Sequence, residues 1–584
     1  MNMASAVCAP STKAREWHNI DWATAHASVR KLQARIVKAT QEGRPGRARA
    51  LQWLLTHSFF GKAIAVKRVT ENQGKRTAGV DGEIWSTPKS KSDAISTLGR
   101  RLYSPLPLKR VRIPKANGDT RPLGIPTMTD RAMQALHLLG LAPIAESTAD
   151  RDSYGFRPGR SCADAIGSLF TTLSQRTSAQ WILEADIKGC FDNISHEWLL
   201  THVPMDRVIL RKWLKAGFME HRQLFPTEAG TPQGGIISPT LANLALDGLG
   251  PLLKWTFRHR RHRVKGAPRG TFISGPRHKV NFVRYADDFV VTGASKEILE
   301  NEVRPLIEKF LAERGLILSP TKTQIVNIRK GFDFLGQNIR KYGERSVMLI
   351  MPSSKSIASL LRRVREIARE LRGSAQETLI RQLNPLIRGW VNYHRHVVSG
   401  KVFSDVRSAI WTVLWNWARR RHSNKRRPWI AKRYFHRRGS RGWIFGVTTE
   451  LRRGEVGFLR LVDPIDTRIV RHVRIRTDAN PYDPKDEPYF EERNNLRIER
   501  SLAARRTLLA LWRGQDGLCP GCGQKINEIT GWHNHHVIRR SRGGPDQVAN
   551  RVLMHPTCHM QFHHRSLVED RGAGSQSNGS LLEA

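Results

Sequence analysis

The chain has 584 residues, more than one hydrophobic core usually serves, and at roughly 150 residues per domain it should hold about four units. Lys and Arg total 97 against 51 Asp and Glu, a formal charge of +46 that calls for a polyanionic partner and points to nucleic acid. No apolar run reaches about 18 residues and no signal-peptide pattern follows Met1, so no membrane partner and a cytoplasmic location are expected.

Residues 1–60 read as an N-terminal helical extension, with Val29, Leu32 and Ile36 on one face and a stop at Gly43 and Pro45. From 61 to 345, short β-like runs alternate with helices, the pattern of a mixed α/β body. Residues 346–418 read as a three-helix module. It starts at Pro352-Ser353-Ser354, and Ile357, Leu360, Leu361, Val364, Ile367 and Leu371 form its first stripe. Residues 419–505 hold RRRHSNKRRPWIAKRYFHRRGSRGW and then a polar stretch, Asn480 to Arg500, that reads as a linker. In the basic part, cations suited to phosphates interleave with Trp429, Tyr434, Phe435 and Trp443, whose rings can stack on unpaired bases. A second basic run, Arg258 to Lys265, reads as a loop; residues 506–567 form a Cys/His-rich unit, and 568–584 a disordered tail.

Phosphoryl transfer to a primer hydroxyl needs two divalent ions about 4 Å apart, held by carboxylates that leave room for substrate phosphates. Two acidic positions fit. QWILEADIKGCFDNI ends an apolar run at Asp186, and VNFVRYADDFVVTG places Asp287 and Asp288 between two β-like runs, at a hairpin turn. Carboxylates embedded among Ile, Leu, Val and Phe are costly unless a metal compensates them.

These segments carry a resemblance. VRIPKANGDTRPLGIPTMTDRAMQ, SYGFRPGRS, EADIKGCFDNISHEWL, GTPQGGIISPTLANLALDGL, RYADDFVV, GLILSPTKT and FDFLG resemble, in order, the blocks of group II intron-encoded reverse transcriptases. RTAGVDG, Arg76 to Gly82, is similar to the family's additional N-terminal block. The resemblance implies a right-hand polymerase of fingers, palm and α-helical thumb, with Asp186, Asp287 and Asp288 binding two Mg2+. Lys115 and Arg121 would grip the incoming triphosphate, and Gln233 would line the nucleotide pocket, where Gly234 and Gly235 allow close backbone approach. Phe191 matches the bulky position that excludes a 2′-hydroxyl, so dNTPs are the expected substrates; an RNA-templated RNA polymerase conflicts with this ring. LNPLIRGWVNYHRHV resembles the splicing-associated thumb called domain X. There Trp390, Tyr393 and Phe403 are expected in the core, and Arg388, His394 and Arg395 are candidates to touch the intron RNA.

At the C-terminal end, Cys519-x2-Cys522 and His555-x2-Cys558 have the spacing of a four-ligand structural Zn2+ site, not of a disulfide framework. HNHHVI and NRVLMHPTCHMQFH resemble an HNH endonuclease with a ββα-metal fold. That pattern implies His536 as general base, His535, His559 and His563 as ligands of a divalent metal, and Asn550 orienting the base or its loop. His555 departs from the commoner form, which has Cys there. Together the segments imply a polymerase, splicing maturase and DNA endonuclease acting on target DNA by target-primed reverse transcription; the alternative is an RNA-binding maturase with little polymerase activity.

Overall fold

A computed structural model describes residues 17–563 except 115–119, 222, 232, 259–260, 264–271, 275–277, 451–455, 503–505, 528–529, 539–542 and 546. Lys115 and Gly118, the start of the N-terminal extension and the expected disordered tail lie outside the described residues. No described helix is long and apolar enough to cross a membrane.

Three helices open the chain: Trp22–Gln41, Pro45–His57 and Phe59–Glu71. The first is capped by Asp21, whose carboxylate accepts from the Ala23 and Thr24 amides. All three pack on helix Met128–Thr148, which is apolar nearly all round and is correspondingly buried. Beside it stands an antiparallel hairpin, Leu108–Pro114 with Thr120–Ile125, extended by Phe218–Glu220 and Gln223–Phe225.

The central sheet has strand order Gln324–Asn327, Trp181–Ala185, Asp288–Gly293, Asn281–Tyr285, all antiparallel. Ile182, Leu183, Val283, Val290 and Val291 are all buried, which explains strands that read as continuous apolar runs. A second sheet, Phe332–Phe334, Gln337–Tyr342 and Val347–Pro352, leads into helices Ser354–Glu370, Gln376–His394 and Gly400–Arg421. Leu360, Val364, Leu379, Leu383, Phe403 and Ile410 form the core of this three-helix unit.

Five expectations need correction. Tyr393, expected in the core, is exposed and donates its hydroxyl to the Leu335 carbonyl at 2.8 Å. Tyr434 and Phe435 are buried against the three-helix core, because helix Arg427–Tyr434 and strand Phe435–Arg438 turn them inward; Trp429 and Trp443 remain exposed. His394 is fully buried and joins two elements: its Nδ1 bonds Gln337 Oε1 at 3.0 Å and its Nε2 bonds Ser356 Oγ at 3.0 Å, so it does not face RNA. The stretch Asn480 to Arg500 is no linker. It carries most of helix Glu487–Leu502, and Ile475, Ala479 and Phe490 share a core with Ile166 and Leu169 of the central body. The basic run Arg258 to Lys265, read as a loop, contains strand Arg261–Arg263, paired with Phe272–Ser274.

The last unit has strands His533–His536 and Arg551–Met554 in antiparallel register, then a helix over 556–563. Cys519, Leu553 and Met554 belong to the same continuous core as Trp17, Ile20 and Ile36 of the N-terminal helices.

Candidate polymerase and nuclease centres

Strand Trp181–Ala185 delivers Asp186 at its end, level with the turn of the neighbouring hairpin, since Ala185 pairs with Phe289 and Tyr285 with Asp288. Ala286 and Asp287 are the turn, with Ala286 at φ +58. The carboxyls of Asp186 and Asp288 come within hydrogen-bond reach, and burial together with the charges of Asp287 and Asp186 pushes Asp288 up to about 7. Burial and the Asp186 charge also raise Asp287. Three carboxyls gathered at one end of the sheet, two of them raised by burial and by their neighbours' charge, suit a cation-binding centre. Lys322 donates to Asp186 Oδ2 at 2.8 Å.

Beneath the turn, Gly155 lies so close that a Cβ there would come within 2.2 Å of the Ala286 amide nitrogen. The Asn243 amide donates to the Gly155 carbonyl at 2.9 Å. Buried Arg284 donates to Asn243 Oδ1 at 3.1 Å, to the Ala286 carbonyl at 3.3 Å and to Asp247. The turn is thus fixed from below by the backbone of Gly155 in SYGFRPG and by side chains of SPTLANLALDG.

Phe191 is buried behind the acids, edge to face with Phe156 at 6.0 Å between ring centres. Its carbonyl accepts from the Thr231 amide at 2.6 Å, which ties the ring's segment to the Gln233 block. Arg121 donates to Gln233 Oε1 at 2.7 Å, while Gln233 Nε2 faces the Asp192 carboxylate at 3.3 Å. This relay sets which way the Gln233 amide points. Gly234, at φ +113, brings its backbone beside the Gly124 carbonyl, which a Cβ would approach to 2.7 Å.

In the C-terminal unit, Cys519, Cys522, His555 and Cys558 are all buried and bring their ligand atoms within 4.8 Å of one another. His555 turns Nδ1 toward Cys522 Sγ at 3.3 Å and Nε2 toward the Lys525 carbonyl at 3.3 Å. A carbonyl accepting from Nε2–H leaves Nδ1 free as a ligand, the orientation metal-bound histidines have, so this donor set fits a tetrahedral ion despite the His-for-Cys exchange. His535, His559 and His563 form the second group within 4.8 Å. His559 is held down at about 4 by burial and the neighbouring histidines. Three imidazoles gathered within 4.8 Å in a ββα unit suit a divalent metal with open positions. His536, half-buried, is the next residue on the strand. Asn550 accepts from the Ile538 amide at 2.7 Å and donates to the Ile538 and Pro545 carbonyls, so it fastens the loop that follows His536.

Comparison with known proteins bears on all these regions. The reverse transcriptase (RNA-dependent DNA polymerase) family model matches residues 113–339 and the N-terminal domain of reverse transcriptase 17–98. The group II intron maturase-specific domain matches 357–435, and HNH endonuclease 519–565. Protein YkfC of Escherichia coli K12 is 34% identical over 343 residues, 52% of this chain and 89% of that protein. Group II intron-encoded protein LtrA of Lactococcus lactis subsp. cremoris is 32% identical over 330 residues, 47% of this chain and 54% of its own length. The chain belongs to the group II intron-encoded reverse transcriptase family. It matches only about half the length of LtrA. A telomerase structure from Candida albicans aligns at TM-score 0.31 and 14% identity, over 57% of this chain and 65% of that one.

In this group II intron-encoded chain, the structure brings together Asp186, Asp287 and Asp288 and, separately, Arg121, Gln233 and Phe191. It also gathers both predicted C-terminal ligand sets. Sequence reading passed over Lys322, Arg284, Asp192, Asn243 and Asp247. Lys322 stood in the quoted GLILSPTKT block, and Arg284 was a lone cation in an otherwise apolar strand, a signal of a buried partner. The two domain families generally use divalent metals.

Proposed function

We propose that this chain is an RNA-directed DNA polymerase, a splicing maturase and an HNH DNA endonuclease serving the mobility of a group II intron. The observation that carries the reading is the convergence of Asp186, Asp287 and Asp288 on one hairpin turn, next to Phe191 and the Arg121–Gln233 relay.

Asp186, Asp287 and Asp288 hold the divalent centre of the polymerase. Two Mg2+ ions bound there would supply Lewis-acid activation of the primer hydroxyl and charge neutralisation on the phosphates. Lys322 lies beside the acids and donates to Asp186, which raises the Lys322 ammonium above its ordinary range and places a positive charge at the centre. Arg121, with Lys115, grips the triphosphate of the dNTP, and Gln233 is oriented by Arg121 and Asp192 to line the base and sugar. Phe191 closes the space that a 2′-hydroxyl needs.

In the nuclease, His536 takes the proton from the attacking water, and Asn550 holds its loop in place. His535, His559 and His563 hold a divalent ion whose chemistry is polarisation of the scissile phosphate. Cys519, Cys522, His555 and Cys558 hold a structural Zn2+. A nick in target DNA leaves a 3′-hydroxyl, which primes copying of the bound intron RNA by the polymerase. The +46 charge and the basic surface of the thumb suit both nucleic acids, and these substrates put the protein beside DNA in the bacterial cytoplasm.

Primer extension on an RNA template tests the polymerase: Asp287→Ala should abolish dNTP incorporation, and survival of activity would remove Asp287 from the centre. Plasmid nicking with intron RNA present should be lost in His536→Ala; nicking at wild-type rate would end its assignment as base. A precursor-RNA splicing assay at physiological salt tests the maturase role without nonspecific electrostatic binding.

A further inference from the structure

The hairpin Phe435–Arg438 with Arg441–Glu450 turns through Gly439 and Ser440, Arg438 pairing with Arg441. Its register then breaks: His436 pairs with Ile444, so the second strand carries one residue more than the first between these two pairs. That extra residue forms a bulge at Gly442 and Trp443, and Trp443 adopts φ +58. A large side chain held in the left-handed region, on a bulge, is a strained arrangement that re-aims the side chain.

The ring is aimed at a cavity. Trp443 is 55% exposed and meets Trp411, Trp415 and Phe435 at 5.8, 6.1 and 5.8 Å, steeply inclined to all three. These contacts hold its position without covering it. Trp411 and Trp415 stack nearly parallel at 5.6 Å and anchor the cluster on helix Gly400–Arg421. Between this helix and the sheet lies a cavity of about 540 Å³, within the roughly 300–1,000 Å³ of small-ligand sites. Ile410, Leu414 and Leu461 line its depth, and Arg407, Arg441 and Arg460 stand around it.

The three guanidiniums surround two carboxylates. Arg407 pairs with Asp463 at 3.1 Å, Arg460 with Asp466 at 3.3 Å, and Arg441 also with Asp466. The carboxylates fix the arginines in position, and one net positive charge is left over. An apolar slot walled by an indole, with pre-positioned guanidiniums around it, matches a flat heteroaromatic ring attached to a phosphate.

We propose that this cavity captures one unpaired nucleotide of a bound strand, its base stacked on Trp443 and its phosphate held by Arg407, Arg441 and Arg460. The proposal deepens the reading of the chain as a nucleic-acid enzyme. It adds a site that recognises a base outside any duplex, remote in sequence from the polymerase acids and the histidine cluster.

The test uses the full-length protein without dNTPs or divalent metal, so it is independent of whether Asp287 is correctly assigned. Fluorescence anisotropy compares a single-stranded oligonucleotide with the same backbone carrying abasic sites, in RNA and DNA versions. Base stacking should favour the base-bearing strand by about five- to a hundred-fold in wild type. Trp443→Ala should remove most of this preference and Trp443→Phe should keep most of it, with thermal melting confirming that both fold. Arg407→Ala and Arg460→Ala should weaken both strands alike and flatten the salt dependence. The RNA and DNA arms show which strand supplies the nucleotide. An unchanged base-to-abasic ratio in Trp443→Ala, an equal loss for both strands in that variant, or equal competition by an acidic peptide would overturn the proposal.

Discussion

Arg284 offers the sharpest test of how the proposed catalytic hairpin is held. Its side chain is completely buried, that of Asp247 is 8% exposed, and the two form an ion pair behind the turn. Arg284→Met keeps the volume and removes the charge, leaving Asp247 buried without a cationic partner. Breaking a buried pair from one side costs about 3–5 kcal/mol. The carboxyl of Asp247 is already pushed up to about 6 by burial, even with Arg284 lowering it. A carboxyl raised in the folded state destabilises the fold when ionised, so the variant's deficit should be largest above pH 6 and should shrink as the pH falls below it. Asp247→Asn in the same chain removes the stranded charge and should recover most of the loss. Urea unfolding followed by tryptophan fluorescence measures all three proteins at pH 5 and pH 8. Because the same guanidinium bonds the Ala286 carbonyl and Asn243, primer extension should also drop by about a hundred-fold, the effect of misplacing catalytic groups by about 1 Å. A single variant as stable as wild type at pH 8, or one that Asp247→Asn fails to rescue, would refute the account.

Phe191→Ala should lower discrimination between dNTPs and rNTPs and, as a buried ring, cost about 3–5 kcal/mol of stability; unchanged relative kcat/KM for the two nucleotides would exclude the ring as a sugar gate. His394 is held at about 4 by burial, so its contribution is complete above the ordinary histidine range near 6.5 and is lost as the pH falls from there to 4, by about 3 kcal/mol at most. Melting curves of wild type and His394→Gln should therefore converge across that window, and parallel curves would contradict it. His555→Cys should keep one zinc per chain by elemental analysis while His555→Ala loses it; full zinc content in the alanine variant would remove His555 from the ligand set. Mg2+ should raise the melting temperature of wild type by relieving repulsion among three acids, and should do so much less in Asp186→Asn, whose centre carries one charge fewer.

Much of the geometry of the candidate centres was readable because chemistry and local pattern coincide there. Asp287 at a turn between apolar runs could only be a hairpin tip, and His559 and His563, four residues apart, share a helix face wherever the helix lies. Other features depend on contacts that no local window contains. Asp164 receives hydrogen bonds from His472, Arg493 and the Ile475 amide, partners more than three hundred residues away. Those contacts, with Phe490 in the core, make a packed element of a stretch whose polar composition reads as a linker. Tyr434 and Phe435 were misread for a related reason: rings among arginines look like a stacking surface, but a strand beginning at Phe435 also has an inner face. Trp443 escaped burial only because the bulge reverses the face it occupies.

The placement of the nuclease unit has a mechanistic consequence. Cys519, Cys522 and Cys558 lie in the same apolar core as Trp17, Trp22 and Ala25, and the Gln561 amide reaches the Trp17 and Ile20 carbonyls at 3.5 and 3.3 Å. The Cys519–Cys522–His555–Cys558 cluster is therefore packed onto the N-terminal helices, which in turn pack on helix Met128–Thr148. On a flexible tether, the nick and the polymerase would meet at an effective concentration set by linker length. Here packed side chains join the two units, so under the proposed function the freed 3′ end of the DNA would have to travel to Asp186 and Asp287. Loosening the dock through Gln561→Ala should leave nicking and primer extension on separate substrates intact and slow only the coupled reaction, in which one molecule both cuts and copies.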